Sequence, residues 1–575
     1  MKVNRFLSLL ALTPIVAVLT ACPKNDADAI SDANQRRFSA QEEKVKLRDV
    51  IHYGEGAGNP APSVGNTRVL VVPIEFTDYP AEDIGKYYNA ELEGGIAKKH
   101  TDDAAPTGRG AEAALEDIRK LYFGEPEETT WHSLSSYYKS TSYGKLNFNG
   151  VVVPWWTKAY VETDDYTPVS TGEFLDADKE AKWLLRSIVN DIAKYDYDKF
   201  NDEEGHPFTS EAKFRQYFDS DKDGFIDLVE AVYSAPFRCK NTSTKHTQSE
   251  SDDVFWAYCG SSFETENLNK PKFSKWAWQS YYTAVEGGVR ENGEWRLWSC
   301  TEIANGTAKV DGHTVIHETG HGLGLADYYN YDGNQDGKTS GAVDMMAYNV
   351  GDHNSHSKSL LGWVDPVVVT GPTRVTINSF NKTGDCIYLP YRGYFEDGTD
   401  TDKKFKNTFS TEYIAIELMT PTGVNQADSD YPYMDHYPQV PTIGGIKAYH
   451  VDSRIAVLDK STGAFYNYTS SIVSVDSSKY VDYAHCNTPS RTVKNADGSY
   501  NFQLEYLYRN KNAGVITNES LYKQGDVLFS GEFHPNFVMN SGAKLGYKVT
   551  IESLSYDPAN PEAASATLLF EANHY

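Results

Sequence analysis

Residues 317–327 read HETGHGLGLAD. His317 and His321 are four residues apart, so on a helix their side chains lie on the same face, one turn from each other. Two neutral imidazoles held in this way supply half of a tetrahedral zinc site. The carboxylate of Glu318, beside the first histidine, can reach a water bound to such a metal. The spacing therefore predicts a helix near 311–323 that carries a metal centre.

The residues after this helix complete the motif. Gly322 and Gly324 allow the chain to end the helix and to turn back sharply. That turn can bring Asp327 to the two histidines as a third ligand, which leaves a fourth position for water or substrate. Three protein ligands and one open position are typical of a catalytic zinc rather than a structural one. A surface helix with two incidental histidines is the alternative, but its closely spaced glycines make a poor helix unless something else fixes the turn.

Residues 344–348, which read DMMAY, follow the metal motif. Their distance from it fits a tight methionine turn beneath the zinc, as metzincins have. We assign the base of this turn to Met346, with Met345 as the alternative, although two ordinary core methionines would give the same pattern. Tyr348 stands two residues past Met346, where its phenol can donate a hydrogen bond to a developing oxyanion. A tyrosine that only packs in the core is the alternative for Tyr348.

A second metal motif, DSDKDGFIDLVE, spans residues 219–230. Hard oxygen ligands at this spacing, with a glycine at the turn, are typical of a calcium loop. Residues 225–233 have the pattern of a strand, so a helix-loop-helix hand is not expected, and an acidic turn without an ion is the alternative. A weaker version of the pattern, at 332–336, uses Asp332, Asn334 and Asp336, where a plain surface loop is the alternative. The predicted ligands of the first loop are Asp219, Asp221, Asp223, Asp227 and Glu230.

Three further histidines lie near the zinc motif in the sequence. His313 stands one turn before His317 and can act as a group behind the ligands, but a solvated side chain is the favoured interpretation. His353 and His356 lie in a polar segment and are expected to take no part in the site.

The N-terminus has the features of a targeting segment. Two basic residues precede an apolar run over 6–19 that is too short to span a bilayer. The run ends in Leu-Thr-Ala-Cys, which is similar to a bacterial lipobox, where cleavage leaves Cys22 as a lipidated first residue. We therefore expect a lipoprotein signal peptide over 1–22 and a mature protein outside the cytoplasm, at the cell surface or in the periplasm, anchored to a membrane by acyl chains. A plain secretory signal is the alternative.

Composition excludes some classes of function. The 575-residue chain has a net charge of -26, whereas nucleic-acid binding through phosphates needs a basic surface. The length suits two or three domains. Six cysteines occur at wide spacings that fit no zinc-finger or redox motif.

Hydrophobic patterning divides the rest of the chain into three parts. Residues 23–65 are polar and are predicted to form a flexible tether. Residues 66–365 contain a strand near 68–76 that is apolar on both faces, and several amphipathic helices, of which the longest is expected at 174–195. Residues 366–575 contain short β-rich runs and no helical pattern. This shift predicts a catalytic domain followed by a β-rich C-terminal region.

With these motifs the chain resembles the immune inhibitor A family of secreted bacterial metallopeptidases. The resemblance extends over about 67–455, and it implies that His317, His321 and Asp327 bind zinc and that Glu318 is the general base. The pieces that carry it most strongly are HETGHGLGLAD at 317–327, DMMAYN at 344–349 and LLGWVDP at 360–366. The pieces that agree with it are VLVVPIEFTDYP at 69–80, SYYKSTSYGKLNFNG at 136–150, DKDGFIDLVEAVYSA at 221–235 and GGIKAYHVD at 444–452.

Together these features predict an α/β, zincin-like (metzincin-type) catalytic domain followed by a β-rich C-terminal region. The expected activity is that of a zinc metalloendopeptidase that hydrolyses peptide bonds of protein or peptide substrates, with Ca²⁺ in a structural role. A non-catalytic surface adhesin or glycan-binding protein that uses the C-terminal region is the alternative. The presence of Glu318 favours the enzyme, because a binding protein has no need of a general base.

Overall fold

A computed structural model of the chain describes residues 34–38, 60–86, 108–156, 159–160, 166–167, 170–176, 181–202, 204–237, 256–261, 273, 275–329, 341–396, 412–452, 456–459, 465–467, 480–482, 505–507, 515–531, 533–535, 537–539 and 543–573. Cys22 with its lipobox, and the weaker acidic pattern at 332–336, lie outside these ranges. Among the described helices, none combines the length and the apolar character that crossing a membrane requires.

In chain order, the strands are β1 (Gln35–Arg37), β2 (Gly65–Ile74), β3 (Leu146–Val152), β4 (Ala159–Tyr160), β5 (Tyr166–Thr167), β6 (Leu228–Tyr233), β7 (Tyr258–Ser261), β8 (Lys275–Ser280), β9 (Val289–Glu291), β10 (Glu294–Arg296), β11 (Val367–Val369), β12 (Thr373–Asn378), β13 (Cys386–Leu389), β14 (Glu412–Met419), β15 (Gly445–Asp452), β16 (Ala456–Asp459), β17 (Phe465–Asn467), β18 (Tyr480–Asp482), β19 (Glu505–Leu507), β20 (Val527–Leu528), β21 (Tyr547–Ser555) and β22 (Ser565–Ala572). The α-helices are α1 (Ala111–Phe123), α2 (Leu134–Thr141), α3 (Thr171–Asp176), α4 (Ala181–Asp191), α5 (Glu211–Tyr217), α6 (Cys300–Asn305), α7 (His313–Gly322), α8 (Met345–Tyr348), α9 (Ser355–Leu360), α10 (Phe380–Thr383), α11 (Gly393–Glu396) and α12 (Gln426–Asp430).

The N-terminal part is built on a mixed sheet with the strand order β3-β2-β6-β8-β7. The first four strands run parallel, whereas β7 pairs antiparallel with β8. A parallel sheet is normally covered on both faces, and its strands are then apolar at successive positions. In β2, Val69 and Val71 point into one hydrophobic cluster while Leu70 and Val72 point into another.

The two clusters lie on opposite faces of this sheet. The cluster that contains Val69 also contains apolar residues of α1, α2 and α7, such as Ile118, Leu134 and Ile316. The cluster on the other face takes its helical residues from α4 and α5, with Ile188 as an example. The sheet thus supports α7 from below, and α7 packs on the two strands at its end, β7 and β8.

The C-terminal part contains two sheets that share one core. One has the order β1-β11-β13-β14-β15-β19 and the other the order β12-β22-β21-β20. Alternate residues point inwards, among them Ile414 and Ile416 of β14 and Leu568 of β22. Residues 423–435, between β14 and β15, reach towards the N-terminal part, where Val424 joins the core that contains α7.

Two predictions about this organisation are wrong. Part of the predicted tether is ordered, because β1 pairs antiparallel with β11 and Phe38 is buried against the Tyr388 ring. Helices also occur after residue 366, as α10, α11 and α12; helices this short span too few turns to produce a periodic pattern. The described parts of the helix predicted at 174–195 are α3, α4 and a π-helical turn at Ile192–Asp196.

Candidate metal centre

The predicted metal helix is α7, and a tight turn follows it. The N–H of Leu325 donates to the carbonyl of Gly320 at 3.0 Å, which folds the chain back over the end of the helix. Gly324 has a φ of +99°, in the left-handed region that glycine adopts without strain. The turn brings Asp327 to the face of the helix that carries the two histidines.

Three side chains converge beside α7. The Nε2 atoms of His317 and His321 lie 3.1 Å and 3.2 Å from one atom, Oδ1 of Asp327. In a tetrahedral zinc site with metal–ligand distances of about 2.0–2.1 Å, the ligand atoms are about 3.3 Å apart. The donor set and its spacing therefore fit one zinc ion.

Backbone carbonyls orient both histidine rings. Nδ1 of His317 donates to the carbonyl of Met345 at 2.7 Å, and Nδ1 of His321 donates to the carbonyl of Leu325 at 2.8 Å. Because Nδ1 donates to a carbonyl, Nε2 is the ring nitrogen that faces Asp327 and that a metal ion could bind. Such outer hydrogen bonds fix the tautomer and the direction of metal-binding histidines.

The electrostatics of this cluster favour a cation. Burial raises the pKa of Asp327, but His321 and His317 outweigh burial and hold this pKa well below its usual range. Burial lowers the pKa of His317, whereas the hydrogen bond and charge of Asp327 raise it to about 9. His317 therefore holds a proton for which a zinc ion would compete, so metal binding is expected to release this proton.

Glu318 follows His317 in α7 and is buried. Burial raises the pKa of Glu318, and the backbone N–H of Cys259 in β7 donates a hydrogen bond to its carboxylate. A carboxylate with a raised pKa is a stronger base than an exposed one. The contact with β7 was not predicted from the sequence, because the two residues are far apart along the chain.

Met346 lies directly beneath α7. A Cβ atom added to Gly320 would come within 2.4 Å of the Met346 sulfur, so only glycine allows this approach. The preceding residue, Met345, supplies the carbonyl that holds His317. Both methionines are fully buried. The geometry therefore gives each methionine a separate part in the turn predicted at Met346.

Two tyrosines differ in what is shown of their place near the cluster. Tyr348 ends α8, is partly buried, and packs against the core that contains α7. Tyr329 was not predicted to contribute, but its ring is nearly parallel to that of His317, with 6.4 Å between the ring centroids. The sequence could have indicated Tyr329, because it stands only two residues after Asp327.

Three of the predicted calcium ligands lie together. Carboxylate oxygens of Asp219, Asp221 and Asp223 are within 4.8 Å of one another. Lys222 and Gly224 have positive φ angles, +62° and +90°, which turn the loop tightly around this cluster. Oδ1 of Asp219 is buried and has no hydrogen-bond partner in the described part of the chain. These residues fit a bound cation.

The other two predicted calcium ligands are not part of this cluster of three carboxylates. The Asp227 carboxylate accepts hydrogen bonds from the backbone N–H of Arg68 and from the backbone and hydroxyl of Ser220, so it closes the base of the loop. Glu230 is fully buried in β6, where its Oε1 lies 2.6 Å from the Thr319 hydroxyl of α7. Its assignment to the calcium site is wrong because the strand begins at 228 and directs this side chain towards α7.

Three other histidines are buried, and for His313 this contradicts the predicted solvated side chain. His313 is buried rather than solvated, with both ring nitrogens near carboxylates. His353 and His356 are buried as well, and Nδ1 of His356 lies 2.7 Å from the Tyr413 hydroxyl. The C-terminal sheet covers the polar segment that contains them, and their expected absence from the site stays a prediction.

Comparison with known proteins gives no independent assignment. No known protein family matches the chain, and no curated protein is significantly similar to it. The function must therefore be inferred from the residues of the site.

Proposed function

We propose that the chain is a zinc endopeptidase that acts outside the cytoplasm of a bacterium. One observation carries the proposal: Nε2 of His317 and of His321 lie 3.1 Å and 3.2 Å from Oδ1 of Asp327, beside the buried carboxylate of Glu318. The resemblance of the surrounding motifs to the immune inhibitor A family supports the same function and a zincin-like fold.

The chemistry is divided between the metal and the side chains. A zinc ion on the three ligands would polarise the scissile carbonyl and lower the pKa of the attacking water. Glu318 accepts the proton of that water and passes it to the nitrogen of the leaving amine. The Cys259 N–H holds the Glu318 carboxylate in place during both transfers. We assign to Tyr348 the donation of a hydrogen bond to the oxyanion.

The position of β7 supports a polypeptide as the substrate. In the sheet of described residues, β7 is the last strand, and its Cys259 contacts the proposed base directly. An extended peptide can add to such an edge through main-chain hydrogen bonds. A substrate bound there would be held by its backbone, so that a peptide bond, rather than one particular side chain, would lie beside the proposed metal centre.

The location and the second metal belong to the same proposal. Lipid on Cys22 would anchor the protein to a membrane. Ca²⁺ on Asp219, Asp221 and Asp223 would have a structural role, because the loop leads into β6 of the central sheet.

A casein zymogram with and without a metal chelator tests the function. We expect a cleared band that the chelator abolishes and that added Zn²⁺ restores. A non-catalytic adhesin or glycan-binding protein would give no band under either condition. Zinc content, measured on the same preparation, shows whether a missing band reflects a missing metal.

A further inference from the structure

The His313 side chain is enclosed on all sides. Its Nδ1 lies 2.8 Å from Oδ1 of Asp311, and its Nε2 lies 3.4 Å from Oδ1 of Asp428. The Trp131 ring stacks on one face at a centroid distance of 3.9 Å, and the Tyr433 ring stacks on the other at 3.8 Å. Both nitrogens and both faces of the imidazole thus have a partner.

These contacts favour an imidazolium. Each nitrogen faces a carboxylate oxygen, so each must carry a proton to donate. Burial lowers the pKa of His313, but Asp311 and Asp428 outweigh burial and raise it to about 9. The cation between two aromatic faces is further stabilised by the electron density of the rings.

Other titratable groups around His313 keep this charge state at neutral pH. Burial, and the charge of His313, lower the pKa of the neighbouring His132 to about 4, so His132 is neutral. The Tyr433 hydroxyl donates to Oδ1 of Asp311 at 3.0 Å, and the pKa of Tyr433 is raised well above its ordinary value by burial and by nearby carboxylates, including Glu286. His313 is therefore the titrating cation of this cluster.

Asp428 connects His313 to the segment that follows α8. One oxygen of its carboxylate faces His313, and the other accepts the N–H of Gly351 at 2.7 Å. The neighbouring Asn425 accepts the N–H of Asp352 at 2.8 Å. The carbonyl that orients His317 belongs to α8. Residues 423–435 of the C-terminal part therefore contact both the N-terminal end of α7, through His313, and the segment that directly follows α8.

We propose that His313 is a positioning residue for the metal centre, which fixes the start of α7 against the segment after α8 through Asp428 and so sets the direction of the His317 ring. This inference rests on the proposed function, since it concerns how well the site holds zinc. It also gives the C-terminal region a part in the site, because Asp428 and Tyr433 both belong to it.

Zinc affinity measured by competition with a chelator, over a range of pH, tests this role. Asp428→Asn keeps the shape of the side chain and an acceptor for Gly351, but removes the charge beside the imidazolium. We expect zinc to bind about 10-fold more weakly at pH 7, as is typical when a group behind a metal ligand is changed. In the wild type, we expect the zinc affinity to fall at alkaline pH, where His313 loses its proton. In Asp428→Asn this fall should begin at a lower pH, because removing the carboxylate lowers the pKa of His313.

His313→Gln removes the cation itself and should abolish this alkaline step. If that variant does not fold, Asp428→Asn and the pH series on the wild type still decide the question. His356→Gln is the matched control: it changes another buried histidine, and it should lower stability without changing the zinc affinity or its pH dependence.

Wild-type affinity and an unshifted pH profile in Asp428→Asn would overturn the positioning role and leave the proposed function intact. A wild-type chain that binds no zinc would instead overturn the proposed function, and the positioning role with it. A lower melting temperature in Asp428→Asn with unchanged zinc binding would show that the cluster stabilises only the fold, which also contradicts the inference.

Discussion

The Thr319 hydroxyl oxygen lies 2.6 Å from Oε1 of Glu230 and 2.7 Å from the carbonyl of Val315. A hydroxyl has one proton and cannot donate to both acceptors. A protonated Glu230 resolves this conflict, because it donates to Thr319, which then donates to Val315. Burial raises the pKa of Glu230 to about 7, which agrees with a carboxyl group that favours its neutral form. Glu230, whose pKa lies near neutral pH, thus joins α7 to the central sheet.

Glu230→Gln should stabilise the zinc-free protein at pH 8. The pKa of Glu230 is about 7 in the folded protein and 4.5 in its ordinary, unfolded environment. The contribution of the neutral Glu230 to the free energy of unfolding is therefore fully present below pH 4.5 and is lost as pH rises through 7. The loss is at most roughly 3 kcal/mol, from about 1.4 kcal/mol per pKa unit. Glutamine carries no charge to bury, so the variant should lack this loss.

Denaturant unfolding at pH 5 and pH 8 measures the effect. We expect Glu230→Gln to exceed the wild type at pH 8 and to approach it at pH 5. The exposed Glu116→Gln serves as the control and should show no such pH dependence. A stability difference that is the same at both pH values would mean that Glu230 is ionised in the folded protein throughout.

Gly320→Ala should destabilise the fold through Met346. The added methyl would lie 2.4 Å from the methionine sulfur, and both residues are buried. Overpacking of this kind costs about 1–3 kcal/mol in the free energy of unfolding. In Gly320→Ala with Met346→Ala, the smaller side chain makes room, so the double variant should be more stable than the sum of the two single changes predicts. Simple additivity would show that Met346 does not lie beneath the helix.

Asp221→Ala should weaken the response of the protein to calcium. The three aspartates of the loop repel one another unless a cation lies among them, so a bound ion stabilises the folded state. We expect Ca²⁺ to raise the melting temperature of the wild type more than that of the variant, while zinc content stays the same. Asp198→Ala, at an exposed position outside the loop, is the control. If Ca²⁺ raises the melting temperature of the wild type and of Asp221→Ala equally, the loop is an acidic turn that binds no calcium.

Cys22→Ser should release the protein from the membrane. The change removes the thiol that would carry lipid, and stable anchoring needs more than one acyl chain. Detergent phase separation should place the wild type in the detergent phase and any processed variant in the aqueous phase. Wild-type protein in the aqueous phase would indicate a plain secretory signal.

Local spacing predicted which side chains of the candidate site lie close together. One helical turn relates His317 to His321, and the glycines after it allow Asp327 to return, so the eleven residues 317–327 contain all three side chains of the cluster. The same reasoning failed for Glu230, because this residue fits both the last position of a calcium loop and the strand that follows the loop. Only the pairing of β6 with its neighbours shows which of the two includes this residue.

Contacts between distant segments could not be predicted. Asp428 reaches His313 across 115 positions, and nothing in the residues around either one indicates the other. A buried histidine among polar residues looks solvated until its partners are known. The same applies to β1, whose few polar residues form a strand only because the edge of β11 is available.

The most direct measurement of the central claim compares Glu318→Gln with the wild type. Glutamine keeps the size of the side chain and leaves the three ligands unchanged, but it cannot accept a proton. Proteolysis of casein should fall by at least ~10²-fold, a typical contribution of a general base, while zinc remains near one ion per chain. Full proteolytic activity in this variant, with zinc bound, would contradict the proposed function.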